Sequence, residues 1–146
     1  MSYGSSSVPL FGDVLARARQ AWVREMTSRL AENGFHDYRS SDALALRWLI
    51  HGALPFATFT AALGVSRQSA RKVVEGLVER NFATIQSDRA DARRRIVELT
   101  NKGRAYAQAV VGAVHNLNDE LGEKIDHEQL DAALSALTYV KDNFGA

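Results

Sequence analysis

TIQSDRADARRRIVELTNKG, Thr84 to Gly103, is the stretch on which the fold turns. Thr84-Ile85-Gln86 and Ile96-Val97-Glu98-Leu99 are rich in β-branched residues and alternate in part, which predicts two short strands. Between them, Ser87 to Arg95 holds Arg89, Arg93, Arg94 and Arg95 against only Asp88 and Asp91. A hairpin tip so cationic has no core to join and is suited to an anionic partner.

Working upstream, Pro55 to Arg80 reads as two helices joined at Gly64. Pro55 suits a first helical turn, and Phe56, Phe59, Ala62 and Leu63 offer a buried side. Ser66 can cap the next helix, Arg67 to Arg80, with Ala70, Val73, Val74, Leu77 and Val78 turned inward. Asn81 then tolerates a positive φ. A Gly-turn helix pair followed by a basic hairpin predicts a winged helix-turn-helix.

Outside this centre the chain is helical. Phe11, Leu15, Ala18, Trp22, Met26 and Leu30 recur at steps of three and four, predicting a helix over 8–33. Ser40-Ser41-Asp42 offers cap oxygens for a helix from Ala43 to His51. Thr100 can cap a helix from Asn101 to about Ile125, striped by Tyr106, Val110, Ala113 or Val114, Leu117 and Leu121. His127 to Phe144 follows, with Leu130, Leu134, Leu137 and Val140. The expected order is α-α-α-α-β-β-α-α: a mainly α single domain over 1–146, with a small β-hairpin wing. Residues 40–100 form the winged part, 66–80 its recognition helix and 83–100 its wing.

Charge is unevenly spread. The net charge is only +1, yet Val65 to Arg104 carries ten Lys/Arg and five Asp/Glu, while Asp119 to Asp131 holds six acids against Lys124. A basic centre beside an acidic segment suggests one face for phosphates. Absence of cysteine removes disulfides and thiolate metal sites. No apolar run approaches the roughly 20 residues a membrane span needs. The opening MSYGSSSVP lacks a basic start and apolar centre, so it reads as a floppy lead-in rather than a secretion signal. A cytoplasmic protein without membrane contact is expected.

These features predict double-stranded DNA as partner. The start of a recognition helix meets base edges in the major groove; here it carries Ser66, Arg67, Gln68, Ser69, Arg71 and Lys72. With Val74 taken as the centre of the buried face, Gln68, Ser69 and Lys72 point outward. Gln matches adenine, and Arg or Lys matches guanine. Thr58 and Thr60, on the outer side of the preceding helix, are expected to meet phosphates. On the wing, Arg93 is expected in the minor groove, Asp91 to fix the tip by pairing with an arginine, and Arg89 and Arg94 to grip the backbone. The plainer reading, arginines that only solvate a surface, fits each alone but not their conjunction with the helix pair.

LGVSRQSARKVVEGLVERNF followed by DARRRIVELTNKG resembles the MarR family of bacterial transcription regulators. The family's wing pattern falls on Asp91, Arg93, Val97, Leu99, Thr100 and Gly103, and the helix order matches along nearly the whole chain. Asn81 and Phe82 depart from the usual Gly and aliphatic residue, and Ala92 from a frequent charge. The resemblance implies a homodimer joined through helices at 8–33 and 101–146, a pseudo-palindromic operator, and usually repression. The apolar surplus of those helices (Val14, Ala21, Val23, Ala109, Ile125) agrees with a symmetric partner.

The resemblance further implies a small aromatic or phenolic effector. Trp22, Met26, Phe35, His36, Tyr38, Arg47, Trp48 and His51 are candidates to line its cleft, Arg47 meeting a carboxylate. Each also has a plainer reading: the tryptophans as core, Arg47 as a surface ion-pair member, His51 facing its own helix C-terminus. The acid–histidine clusters His36-Asp37 and Asp126-His127-Glu128 have no placed nucleophile and no metal-ligand spacing. No catalytic residue, metal or cofactor is expected. The remaining alternative is a ligand-insensitive DNA-binding module, or a winged helix turned to protein interaction.

Overall fold

A computed structural model describes residues 10–145. Val8 and the opening MSYGSSSVP lie outside the described residues. The described order is α1 (Phe11–Glu32), α2 (Asp42–Leu49), β1 (Leu54–Pro55), α3 (Phe56–Leu63), α4 (Arg67–Glu79), β2 (Ala83–Ser87), β3 (Arg95–Leu99), α5 (Asn101–Lys124) and α6 (His127–Asn143). The expected elements are all present. β1 is additional: its two residues pair antiparallel with Val97 and Ile96, giving a three-stranded sheet in the order β1-β3-β2. So short a strand leaves no alternation to read. Pro55 accordingly precedes α3 as its N-cap rather than lying inside it. No described helix is long and apolar enough to cross a membrane.

The chain divides into two compact units, Met1–Ala113 and Val114–Ala146, with the boundary inside α5. In the first unit the core gathers Met26 and Leu30 of α1, Ala45, Leu46 and Leu49 of α2, Phe59 of α3, Val74 and Leu77 of α4, Val97 of β3, and Tyr106 and Val110 of α5. The stripe expected on α1 is buried only at its C-terminal end. Residues 10–20 are all exposed, Phe11 and Val14 among them. In the second unit α6 has no buried residue at all; Leu134, Leu137 and Tyr139 are exposed.

Two positive-φ residues steer the chain into α4 and out of it. Gly64 ends α3 in the left-handed region at φ 66°, and Asn81 follows α4 at φ 64°. Asn keeps the turn that Gly would make, as its side chain tolerates this region. Immediately after, Phe82 lies buried and stacks on the Tyr106 ring at 4.0 Å and 10°. The aromatic at this position therefore joins the end of α4 to α5.

The deepest polar feature was not legible beforehand. Asp42, expected as a cap oxygen, is wholly buried inside the first turn of α2. Its carboxylate accepts two hydrogen bonds from the Arg80 guanidinium, at 2.7 and 2.8 Å, one from the Tyr106 hydroxyl at 2.6 Å and one from the Arg39 amide at 3.1 Å. Arg80 also donates to the carbonyls of Asp37 and Gly76. Burial works to lower the Arg80 pKa, but the hydrogen bond and charge of Asp42 outweigh it and leave it raised. Burial, then the Asp42 hydrogen bond and charge, push the Tyr106 phenol far above its ordinary value.

A second clamp lies beside it. The Thr100 hydroxyl donates to the Asn81 carbonyl at 2.6 Å and accepts the Gly103 amide at 2.9 Å, while the Thr100 amide donates to the Phe82 carbonyl. A Cβ on Gly103 would stand 1.7 Å from that same carbonyl oxygen. No rotamer change relieves a clash with backbone. Gly103→Ala is expected to cost about 3 kcal/mol, read as a lower urea midpoint at unchanged m-value.

A pH dependence follows from Tyr106. Its folded pKa is raised, so its contribution is complete below the unfolded value of about 10. Above that, the unfolded chain ionises first and stability falls by up to about 1.4 kcal/mol per pH unit. Urea titrations between about pH 9 and about pH 11 should show this decline, and Tyr106→Phe should flatten it. A smaller slope should persist from Tyr38, raised by burial and by the Asp42 charge.

Candidate nucleic-acid interface

α4 is positioned at both ends. At its start, Ser66 is extended and its side chain accepts the Ser69 amide at 3.1 Å, as a capping serine does. The two hydroxyls are also hydrogen-bonded, at 3.0 Å, so Ser69 is committed to the cap. At its end Arg80 is held by Asp42. Between them Gly76 is buried, with the Arg39 guanidinium 2.7 Å from where a Cβ would be.

The buried side of α4 is Ala70, Val74, Gly76 and Leu77, with Val73 half-buried. Val78, expected inward, is 37% exposed. Its place is taken by Gly76, because Arg39 crosses the helix there. The buried centre is thus turned away from Val74 toward Ala70, Val73 and Leu77. At 100° per residue, the line opposite it runs through Gln68 and Glu75, with Arg71 on the wing side and Lys72 on the other.

The wing follows the sequence closely. β2 and β3 pair from Ala83–Leu99 to Ser87–Arg95. At the tip two aspartates organise the backbone: Asp88 Oδ1 accepts the Ala90 amide and Asp91 Oδ1 accepts the Arg93 amide, both at 3.0 Å. Such side-chain turns fix a loop without a core. Asp91 also meets the Arg93 guanidinium at 3.5 Å, the pairing expected of it. Arg94 lies 3.7 Å from Asp88. The Arg93 side chain is 93% exposed. So exposed a pair contributes little energy; its effect is on where the guanidinium points.

Three concavities line this face and share residues from one to the next. One of about 470 Å³ is bounded by Arg67, Gln68, Arg71, Lys72 and Glu75. A second, about 420 Å³, is bounded by Phe56, Arg71, Glu75, Ile85 and Arg95. The third, about 220 Å³, brings Thr58 and the start of α3 together with Arg67, Arg93, Arg94 and Arg95. Four guanidinium groups and no carboxylate border that hollow. α4 and the hairpin therefore form one continuous, concave, cationic surface.

Placement differs from expectation at several residues. Thr60 is not on the outer side of its helix: it is 9% exposed, and its hydroxyl donates to the Phe56 carbonyl one turn back. Thr58 is exposed and borders the third hollow. Arg89 is exposed on the tip but borders none of the three. Phe56 and Glu75 were given no such place from sequence, and Arg95 was placed on the basic tip with no contact of its own. Glu75 could have been found by its seven-residue spacing from Gln68. Of the effector candidates, Met26 is fully buried; Trp22, Phe35 and Tyr38 are half-buried; His36, Arg47, Trp48 and His51 are exposed. Phe35 packs on Tyr106 at 5.2 Å, so part of this group belongs to the core around Asp42.

No family model matches the chain, and no curated protein matches it. Solved structures do. The PcaV transcriptional regulator from Streptomyces coelicolor, in complex with its natural ligand, superposes with a TM-score of 0.78 at 18% identity, covering 99% of this chain and 100% of that one. The transcriptional repressor CouR, bound to a 23-mer DNA duplex, gives 0.73 at 23% identity, covering 97% and 98%. A mutant of MarR from E. coli gives 0.60 at 17% identity, covering 91% and 97%. At such identities the likeness is one of architecture, and along nearly its whole length the chain has the MarR-type winged-helix fold that these regulators share.

Proposed function

We propose that the chain is a sequence-specific double-stranded DNA-binding regulator that works as a homodimer, represses at a pseudo-palindromic operator and is released by a small aromatic effector. The observation that carries the reading is the continuous cationic surface, in which recognition helix and wing share Arg67, Arg71 and Arg95 as common borders. Gln68, Arg71 and Lys72 read bases in the major groove. Arg93 enters the minor groove, steered by Asp91. Arg67, Arg94 and Thr58 border the acid-free hollow, which fits a backbone phosphate, and Arg89 adds charge at the tip. Ser66 and Ser69 set the helix start. CouR, of like fold, is a repressor seen on a duplex.

Self-association is supported by the apolar surface left on the terminal helices. Leu10, Phe11, Val14 and Leu15 are each more than a third exposed, and so are Leu134, Leu137, Tyr139 and Phe144. Amphipathic helices this exposed require a partner, and a twofold copy sets two reading helices about 34–36 Å apart. For the effector, the support is the half-buried aromatics Trp22, Phe35 and Tyr38, the exposed Arg47 and Trp48 of α2, and PcaV's complex with its natural ligand. Such a ligand acts by preferring a dimer arrangement whose helix spacing misses the operator.

Gel shifts on genomic fragments against nonspecific competitor test the reading. Selective retention supports it, and uniform weak retention points instead to a protein-interaction module. On a selected fragment, Arg93→Ala should weaken binding and lower the salt slope by about one per subunit. Gln68→Ala should relax preference at one position of each half-site. Sedimentation at micromolar concentration should show a dimer, and a double Leu134→Glu, Leu137→Glu variant should shift it toward monomer without loss of helicity.

A further inference from the structure

Glu75 is an acid at the centre of a surface otherwise built to attract anions. It borders two of the three concavities, and among the described residues that border them it is the lone carboxylate. It lies seven residues beyond Gln68, two turns and about 10 Å along the same outward line of α4. It is exposed, and among the described residues it forms no ion pair, even with Arg71 four residues earlier.

A carboxylate carried into the major groove is repelled by phosphates on both sides. It also meets repulsion from guanine O6 and N7 and from thymine O4, which only accept hydrogen bonds. The exocyclic 4-amino group of cytosine is a donor, and it is the group a glutamate matches. Adenine's 6-amino group is a donor as well, but the N7 acceptor beside it repels a carboxylate; an acid on this line therefore favours cytosine, and the penalty at the other bases is as much a source of selectivity as the contact.

Resting on the DNA-binding reading above, we infer that Glu75 is a specificity-determining residue that accepts a hydrogen bond from a cytosine 4-amino group and rejects duplexes lacking cytosine there. Gln68 and Glu75 then read two positions of each half-site separated by the two helical turns between them. Arg71, beside Glu75 on the wing side, balances its charge when the duplex is in place.

The test begins with selection of the wild-type protein's preferred duplex from a random library. Each base pair of one half-site is then substituted in turn for wild type, Glu75→Ala and Glu75→Gln. Wild type should lose about tenfold or more at one C·G pair, and Glu75→Ala should lose that preference while binding random duplex several-fold more tightly. Replacing the cytosine by an analogue without its 4-amino group should weaken wild type and leave Glu75→Ala unchanged. An exposed position permits these changes without loss of fold, checked by equal thermal midpoints. If wild type selects a sequence and Glu75→Ala keeps every preference, the glutamate is only solvated and the inference fails alone. If wild type selects no sequence, the DNA-binding reading fails with it.

Discussion

A buried carboxylate holds the helices of the winged unit in register. Asp42 has four hydrogen bonds directed at it, two of them from one guanidinium, and no exposure to water. A buried ion pair of this kind adds little over a well-packed apolar substitute. Removing one partner, however, strands a charge and costs about 3–5 kcal/mol. The geometry is what matters here. Asp42 is on α2, Arg80 closes α4 and Tyr106 is on α5, so three helices must arrive together for the charges to be satisfied. With Phe82 stacked on Tyr106 and Gly103 admitting the Phe82 carbonyl, the end of α4 can occupy one place.

That constraint fixes the rotation of α4 about its own axis. Arg80 anchored below and Arg39 lying over Gly76 turn the buried side toward Ala70, Val73 and Leu77. The outward line then passes through Gln68 and Glu75. Which side chains of α4 face outward is thus decided by a polar contact at the far end of the helix, through rigid-body geometry. The Ser66 cap gives the near end its start point.

Much of this was legible in the chain itself. Gly64 and Asn81 mark turns because few residues accept positive φ, and both adopt it. The serine cap, the threonine before α5 and the two hairpin strands are local features, settled within four or five residues of one another. The basic tip was legible for the same reason: Ser87 to Arg95 holds no apolar residue larger than Ala90 and Ala92, too little to bury. Helical stripes were legible as periodicity, yet not as burial. Phe11 and Leu15 fit the stripe of α1 as well as Met26 and Leu30 do, and they are exposed where the latter are buried.

Residue types and spacing therefore determined the order of helices, the wing, its cationic tip and the caps, because each rests on short-range sterics, hydrogen bonding or charge. Tertiary structure alone decided that Asp42 is a buried hub and not a cap, that Thr60 turns inward, and that a two-residue strand completes the sheet. Those outcomes depend on pairs such as Asp42 with Arg80 and Asp42 with Tyr106, 38 and 64 residues apart. No periodicity along a chain encodes which distant partner a carboxylate will find; only packing in three dimensions selects it.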